Sequence, residues 1–366
     1  MKILEICTVR FLLTGIPIHI RNYYNELKEK NRVDIVSSEY NANLLKTMRL
    51  QNGTKLYSFS RKKHPIQYLI QLRRLVTKEN YDIIHIHGNS ATMALELFAC
   101  RGLKSVVIVH THNVEYQANF FNKILSHYFL NKADLYFAAS KSAGEKLYGD
   151  QKFTVITNGI DESRFKFNDK VREQIRNRLN IKKRDIVFGH VGYFGNQKNQ
   201  IFILKLAKNF VKEPRVKFLL VGDGFSENFR AEIQNAGLGE KFIILPATSN
   251  VGDLYSAFDV FLFPSKFEGL GMVGVEAQLS GLPCLISNKV PREVKICDRV
   301  SFLPLSIDKW SQAMHSLMKN NIPLTNRTSV VSDRYDIKRC AKYLNRLYKR
   351  AWYKKNDNQK NIKMGL

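Results

Sequence analysis

The densest run of chemistry-bearing residues lies between Phe261 and Pro283. There a short apolar stretch leads into Ser265-Lys266-Phe267-Glu268-Gly269-Leu270-Gly271-Met272 and then into a helical pattern that carries Glu276. Gly269 and Gly271 let the backbone approach a ligand closely. A helix starting near Met272 turns its unpaired N–H groups and the positive end of its dipole toward that ligand. A diphosphate suits this place. Glu268 in the loop and Glu276 about two turns along the helix supply carboxylates that accept hydrogen bonds from hydroxyl groups. An isolated pair of acids at this spacing would be an ordinary feature of a helix surface, but the strand and the glycines around this pair favour a site for a polyhydroxylated anion.

Other candidates stand at the ends of expected strands. Gly189 to Asn199 reads as a strand followed by a loop containing Gly192, Tyr193, Gly195 and Lys198. A single lysine among 58 Lys and Arg is most simply a solvated one, yet a position after the first strand of a Rossmann-like unit favours contact between Lys198 and a phosphate. Gly222-Asp223-Gly224 forms a second tight strand-to-helix turn. His110 and His112 alternate at the carboxyl end of one strand and so share a face, where ligand crevices open in α/β sheets. One of them is expected to face the reaction and the other to be a hydrogen-bonded core histidine. A metal pair fits the spacing but lacks a third ligand nearby in sequence. His85 and His87 also share a face and read as buried, satisfied histidines.

Two series of short β-branched or aromatic runs must position these residues. Lys2–Cys7, Val33–Val36, Ile83–His87, Val106–His110, Leu135–Ala138 and Phe153–Ile156 read as one parallel sheet with helices between its strands. Ile186–Val191, Lys217–Val221, Phe242–Leu245, Val260–Phe263, Pro283–Ile286 and Ser301–Leu303 read as a second. Asn158-Gly159-Ile160-Asp161 and the charged segment after it suggest a linker, with a boundary near residue 165. From Ile337, apolar residues at helical spacing predict an amphipathic helix, followed by a tail too polar to order itself. The expected division is an N-terminal domain 1–165, a second domain 166–334, a helix 335–354 and a disordered tail 355–366.

Composition narrows the functional classes. A chain of 366 residues suits two α/β domains, and no apolar run approaches the roughly 18 to 20 residues a membrane span needs. The N-terminus places Glu5 where a signal peptide would be apolar, so the protein is expected in the cytoplasm. The five cysteines are scattered, as reduced core residues would be. A net charge of +26 points to an anionic partner. With no zinc-finger spacing or RNP-type motif, nucleic acid is not expected. An anionic membrane surface fits better, with Arg61-Lys62-Lys63, Arg73-Arg74 and the aromatic piece around Phe120, Phe121, Tyr128 and Phe129 as its candidate contacts.

The segment from Glu268 to Glu276 resembles the E-x7-E signature of the retaining glycosyltransferases of family 4. The likeness extends to Thr14-Gly15-Ile16, Asp82 to His87, Val109 to Asn113 and Asn158 to Asp161, and the chain is similar to bacterial capsular and exopolysaccharide enzymes. It implies the α/β GT-B fold: two Rossmann-like domains with a cleft between them and a C-terminal crossover helix. The first domain would bind the acceptor, the second the nucleotide-sugar donor, and the helix 335–354 would pack back on the first. Glu268 would contact the transferred sugar and Glu276 the nucleotide ribose. His112 matches the family's active-site histidine and, with Glu268 and Lys198, is the candidate catalytic set. Gly15, Gly192, Tyr193, Lys198, Gly222, Gly269, Leu270, Gly271, Met272 and Glu276 are the candidate donor-binding set. The family loop usually carries an arginine where this chain has Tyr193; Lys289 and Arg292 are candidates to supply the missing cation.

The resemblance implies transfer of a hexose or N-acetylhexosamine from a nucleotide sugar, with a UDP-sugar as the expected donor, to a saccharide or polyprenyl-linked saccharide acceptor in the synthesis of a bacterial surface polysaccharide. No cofactor and no metal are expected, because Lys198 and the helix N-terminus would stabilise the leaving diphosphate. The protein would sit on the inner face of the cell membrane as a peripheral protein. Two alternatives share the fold: a nucleotide-sugar epimerase, which would need no acceptor, and a non-catalytic sugar-nucleotide-binding subunit.

Overall fold

The computed structural model describes residues 1–113, 125, 132–319 and 327–364, the last seven of these by their backbone alone. The aromatic piece around Phe120, Phe121, Tyr128 and Phe129 lies outside the described residues. The chain divides into two compact units, Met1–Ile160 with Asp333–Leu366, and Asp161–Ser332.

The first unit is built on a parallel sheet of β1 (Lys2–Cys7), β2 (Arg32–Ser37), β3 (Leu56–Ser58), β4 (Ile83–Gly88), β5 (Val106–Thr111), β6 (Leu135–Ala138) and β7 (Thr154–Val155), in the order β3-β2-β1-β4-β5-β6-β7. Strands buried on both faces need apolar residues at every position, and alternate residues serve opposite faces. Accordingly Ile3, Val33, Ile35, Ile83, Val106 and Ile108 pack with the helices Gly15–Leu27 and Ile337–Met364. Leu4, Ile6, Val36, Ile84, Ile86, Val107 and Val109 pack with the helices Pro65–Glu79 and Ala94–Ala99.

The second unit repeats the plan. Its strands β8 (Ile186–Val191), β9 (Val216–Val221), β10 (Phe242–Leu245), β11 (Val260–Phe263), β12 (Cys284–Ser287) and β13 (Val300–Leu303) lie parallel in the order β10-β9-β8-β11-β12-β13. In each sheet the strand order reverses beside the first strand, between β1 and β4 and between β8 and β11. Loops at the carboxyl ends of such a pair open a crevice.

The structure moves two expected boundaries. The units part at Ile160 because its N–H bonds the Tyr335 carbonyl and its own carbonyl takes the Ile337 N–H. The next turn, Glu162–Phe165, packs into the second unit, where a side-chain carbon on Gly252 would stand 1.9 Å from the Arg164 carbonyl oxygen. The C-terminal helix runs from Ile337 to Met364 instead of giving way to a disordered tail at residue 355. Lys355 holds it there, with Nζ 2.7 Å from both the Ser105 carbonyl and Asp134 Oδ2. Residues 365–366 lie outside the described residues.

Candidate functional site

The second unit draws its candidates from the loops on either side of its switch point. After β8 the chain turns through Gly192 to Lys198. After β11 it turns through Ser265 to Gly271 and enters the helix Met272–Leu279. Gly271 caps this helix at φ +87°, and a side-chain carbon there would stand 2.7 Å from the Phe263 ring. Only glycine takes that conformation without strain at so close an approach. The helix therefore starts on a bare backbone: Gly274 N–H turns back to the Gly271 carbonyl at 2.8 Å, and the N–H groups before it lie ahead of the helical ladder.

The two loops are tied through Glu268. Its Oε1 accepts from Lys198 Nζ and from Ser265 Oγ, each at 2.8 Å, and its Oε2 accepts from Gln197 Nε2 at 3.1 Å. Asn199, in the left-handed conformation at φ 58°, heads the helix Gln200–Ala207 and donates to the Pro264 carbonyl at 3.1 Å. A buried carboxylate thus holds a lysine at the mouth of the glycine loop. Lys198 Nζ also lies 4.9 Å from the centre of the Phe263 ring, in cation–π range.

Glu276 lies on the buried face of the helix Met272–Leu279, and its Oε2 accepts from Tyr255 Oη at 2.8 Å. The buried Tyr255 hydroxyl thereby orients the carboxylate. Gly222 follows β9, and a side-chain carbon there would fall 2.0 Å from the Gly192 carbonyl oxygen, so any larger residue would push the two loops apart. Tyr193 is 63% exposed and lies over Gly224, where a side-chain carbon would meet the ring at 2.7 Å. Leu270 is buried, Gly269 lies beside it, and Met272 opens the helix. Arg292 stacks over Phe302 with its guanidinium 4.0 Å from the ring centre, and Lys289 is exposed.

Gly15 and His112 belong to the first unit. Gly15 opens the helix Gly15–Leu27, is exposed, and has open space where a side chain would be. His112 follows β5 and belongs to a cluster of histidines. His87 is buried and satisfied as expected, with Nδ1 3.0 Å from His112 Nε2 and Nε2 2.6 Å from Glu5 Oε2. His110 is buried, but neither of its ring nitrogens has a hydrogen-bond partner, which corrects the expectation of a satisfied core histidine. Strand register explains the gathering: His87 on β4 lies beside His110 on β5, and Glu5 on β1 beside His85 on β4. His19, from the helix after β1, packs its ring 5.0 Å from His110 and 4.8 Å from His112.

Burial governs the charge of this group. It holds His19, His85, His110 and His112 well below the usual imidazole range and His87 at about 3, and it pushes Glu5 up to about 8. His85 Nδ1 is 2.6 Å from Tyr348 Oη on the C-terminal helix.

The residues that sequence reasoning passed over are the supports: Gln197, Asn199, Tyr255 and Ser265 in the second unit, and His19 and Glu5 in the first. Asn199, next to Lys198, and Ser265, three residues before Glu268, stood close enough to be suspected. Tyr255 and His19 carry no local signal.

A family model described as Glycosyltransferase Family 4 matches residues 13–164, and one described as Glycosyl transferases group 1 matches residues 171–331. The chain is 30% identical to EpsF of Bacillus subtilis over 63% of its own length and 64% of that protein. It is also 30% identical to an Escherichia coli UDP-Gal:alpha-D-GlcNAc-diphosphoundecaprenol alpha-1,3-galactosyltransferase, over 60% of this chain and 61% of that one. The matches thus span somewhat over three-fifths of these relatives' length. Among solved structures, HepE of Anabaena in complex with UDP-glucose superposes with a TM-score of 0.79 at 18% identity, covering 95% of this chain and 99% of that one. One family model falls on each parallel sheet, and in the second the E-x7-E pair brackets the glycine cap, Glu268 in the loop before it and Glu276 on the helix after it: the chain belongs to glycosyltransferase family 4 and has the GT-B fold.

Proposed function

We propose that the protein is a retaining glycosyltransferase that moves a hexose or N-acetylhexosamine from a UDP-sugar to a polyprenyl-linked saccharide in the synthesis of a bacterial surface polysaccharide. The observation that carries this reading is the glycine-capped helix at Gly271 with Lys198 held at its mouth by Glu268, 2.8 Å away. The helix N-terminus and the lysine supply positive charge where a diphosphate leaves, which lowers the barrier most if they are fixed in advance. Glu276, oriented by Tyr255, takes the ribose hydroxyls, and Glu268 takes the sugar.

In the proposed step the bond between the sugar's anomeric carbon and the diphosphate oxygen breaks. A bond from that carbon to the acceptor oxygen forms on the same face, and the acceptor's proton passes to the departing phosphate. His112 serves the acceptor side. Lys198 and the helix do at the diphosphate what a metal ion does elsewhere, so transfer is proposed to need none there.

HepE was solved with UDP-glucose, and the Escherichia coli relative is named for a diphosphoundecaprenol-linked acceptor; both support the choice of substrates. No helix among the described residues is long and apolar enough to cross a membrane. A lipid-linked acceptor would therefore be met at the membrane surface. Exposed Ile66 and Ile70, flanked by exposed Lys62, Lys63 and Arg74, are the proposed contact.

The test is calorimetric binding and sugar release across UDP-, GDP- and ADP-sugars, with Glu276→Ala as control. Tight binding of one donor that depends on Glu276, with slow release of free sugar, is expected. Absence of binding to every donor would overturn the donor site.

A further inference from the structure

Four histidines of the first unit, His19, His87, His110 and His112, each bring a ring nitrogen within 4.8 Å of the others. They come from three places in the chain: the helix after β1, the end of β4 and the end of β5 with the residue following it. The parallel register places them on one face of the sheet, at its carboxyl end. Lower on that face Ile83, Val106 and Ile108 are apolar, while His85 and its neighbour Glu5 lie directly beneath the group. The imidazoles thus gather at the end where ligand crevices open.

We propose that these four imidazoles form a binding site for a transition-metal dication of the zinc class. Three observations support it.

The first is unpartnered nitrogen. His19 Nε2 and both nitrogens of His110 are buried without a hydrogen-bond partner. Buried polar atoms are seldom left so, and an unpaired one points to a bound ion or water.

The second is an outer layer of acceptors that frees the right nitrogens. Asn158 Oδ1 lies 2.8 Å from His19 Nδ1, which fixes the proton there and leaves Nε2 as the ligand atom. Glu5 Oε2 lies 2.6 Å from His87 Nε2; with burial favouring the protonated acid, Glu5 accepts there through its carbonyl oxygen, which leaves Nδ1 facing the group. A carboxylate or carbonyl on the far nitrogen is the usual support of a metal-bound histidine.

The third is spacing and access. Tetrahedral zinc with bonds of about 2.0–2.1 Å separates its ligand nitrogens by roughly 3.3 Å. His87 Nδ1 and His112 Nε2 are already 3.0 Å apart. The longest separations exceed the ideal by about an ångström and a half, the scale of a ring rotation. His112 is half-buried where the others are buried, and gives the ion a way in. Without metal, His112 Nε2–H donates to His87 Nδ1; with metal both are ligands, and the His112 proton sits on Nδ1.

The test of the site needs no sugar. The full chain, without a histidine tag, is treated with chelator, dialysed and titrated with zinc and with cobalt(II). Calorimetry, elemental analysis and the visible absorption of cobalt are read. One ion per chain is expected, with the intense absorption of four-coordinate cobalt. His112→Ala and Asn158→Ala should each weaken binding by roughly 10–100-fold while circular dichroism stays unchanged. His64→Ala, which alters an exposed histidine on another part of the surface, should bind as the parent does. No stoichiometric uptake by the parent chain at about 100 µM metal, or uptake that survives the double change His110→Gln with His112→Ala, would overturn the site.

Discussion

Lys198 Nζ and Glu268 Oε1 lie 2.8 Å apart, and Ser265 donates to the same carboxylate oxygen. The cation proposed to meet the diphosphate is thus already paired, across two loops that follow neighbouring strands. A donor's phosphate must share this lysine with Glu268, so part of its charge is committed before the ligand arrives. The compensation is order: the lysine is in place and costs little further entropy to fix.

This pairing makes opposite predictions for its two members. Lys198→Ala removes the positive charge and should weaken UDP binding by roughly tenfold or more. Glu268→Gln removes the charge paired with the lysine and keeps one acceptor oxygen for it, giving up the other to an amide donor, and should leave UDP binding unchanged or tighten it up to about fivefold. The same change should lower transfer by roughly 100-fold or more, because the group facing the sugar is lost. Calorimetry with UDP and turnover with the full donor separate the two. If both variants lose UDP binding equally, Glu268 is only a strut for the loop.

The glycines at the site should behave differently from one another. Gly271→Ala places a side chain at φ +87° against Phe263, a strain of about 1–3 kcal/mol that falls on the helix start. Gly222→Ala would set a carbon 2.0 Å from the Gly192 carbonyl oxygen, and backbone must move to relieve it. Gly15→Ala meets open space and should leave thermal stability within about half a kcal/mol. Thermal unfolding of the three variants gives the ranking, and a stable Gly222→Ala chain would contradict the tight loop contact.

Much of this was legible in the chain itself, because strand pattern, glycine loops and the Glu268 to Glu276 spacing are local signals. Among the described residues, twelve of the thirteen strands correspond to apolar runs read in sequence; the short edge strand β3, Leu56–Ser58, is half-exposed and carries no such run. Which strand lies beside which is not local. His87 is the satisfied core histidine it was read as, but its partners Glu5 and His112 follow only from β4 lying between β1 and β5. The boundary near residue 165 failed for a related reason: Ile160 pairs with a segment more than 170 residues further on. The tail failed because its composition is polar, while Lys355 reaches Asp134 across the fold.

Tyr255 tests the ribose assignment without removing the carboxylate. Its hydroxyl donates to Glu276 Oε2 at 2.8 Å, and Tyr255→Phe removes that donor at nearly constant volume. Stability should fall by about 1 kcal/mol, and UDP affinity should fall roughly three- to tenfold as Glu276 loses its fixed orientation. The affinity for inorganic diphosphate should not change. Equal loss for both ligands would place Glu276 elsewhere than the ribose.

His190 predicts an acid-sensitive second unit. It is buried on β8 with Nδ1 2.9 Å from the Leu262 carbonyl, and burial lowers it to about 4 from an ordinary 6.5. The unfolded chain therefore takes up a proton near pH 6.5 that the folded one refuses until about pH 4. Stability from this group is full above 6.5 and is lost as pH falls toward 4, by a total on the order of 3 kcal/mol. Hydrogen exchange at the amides of β8 and β11 should quicken over that window in the parent chain. In His190→Gln, exchange should depend less steeply on pH; an unchanged slope would show that other groups set the acid limit.

The surface of the helix Pro65–Glu79 offers the last test. Ile66 and Ile70, one turn apart, are 74% and 46% exposed, and apolar residues of that size gain roughly 0.8 kcal/mol per methylene buried in lipid. Lys62 and Lys63 precede them, and each basic residue near an anionic surface adds about 1 kcal/mol that salt screens. The chain should sediment with vesicles containing phosphatidylglycerol and remain free with neutral phosphatidylcholine. Ile66→Ser with Ile70→Ser should weaken sedimentation and leave its salt dependence intact, because only the apolar contribution is lost. Lys62→Gln with Lys63→Gln should weaken it and flatten the salt dependence. If neither pair matters while the parent still binds, the contact lies on another face of the +26 chain, and the helix Pro65–Glu79 is only a covering layer of the sheet.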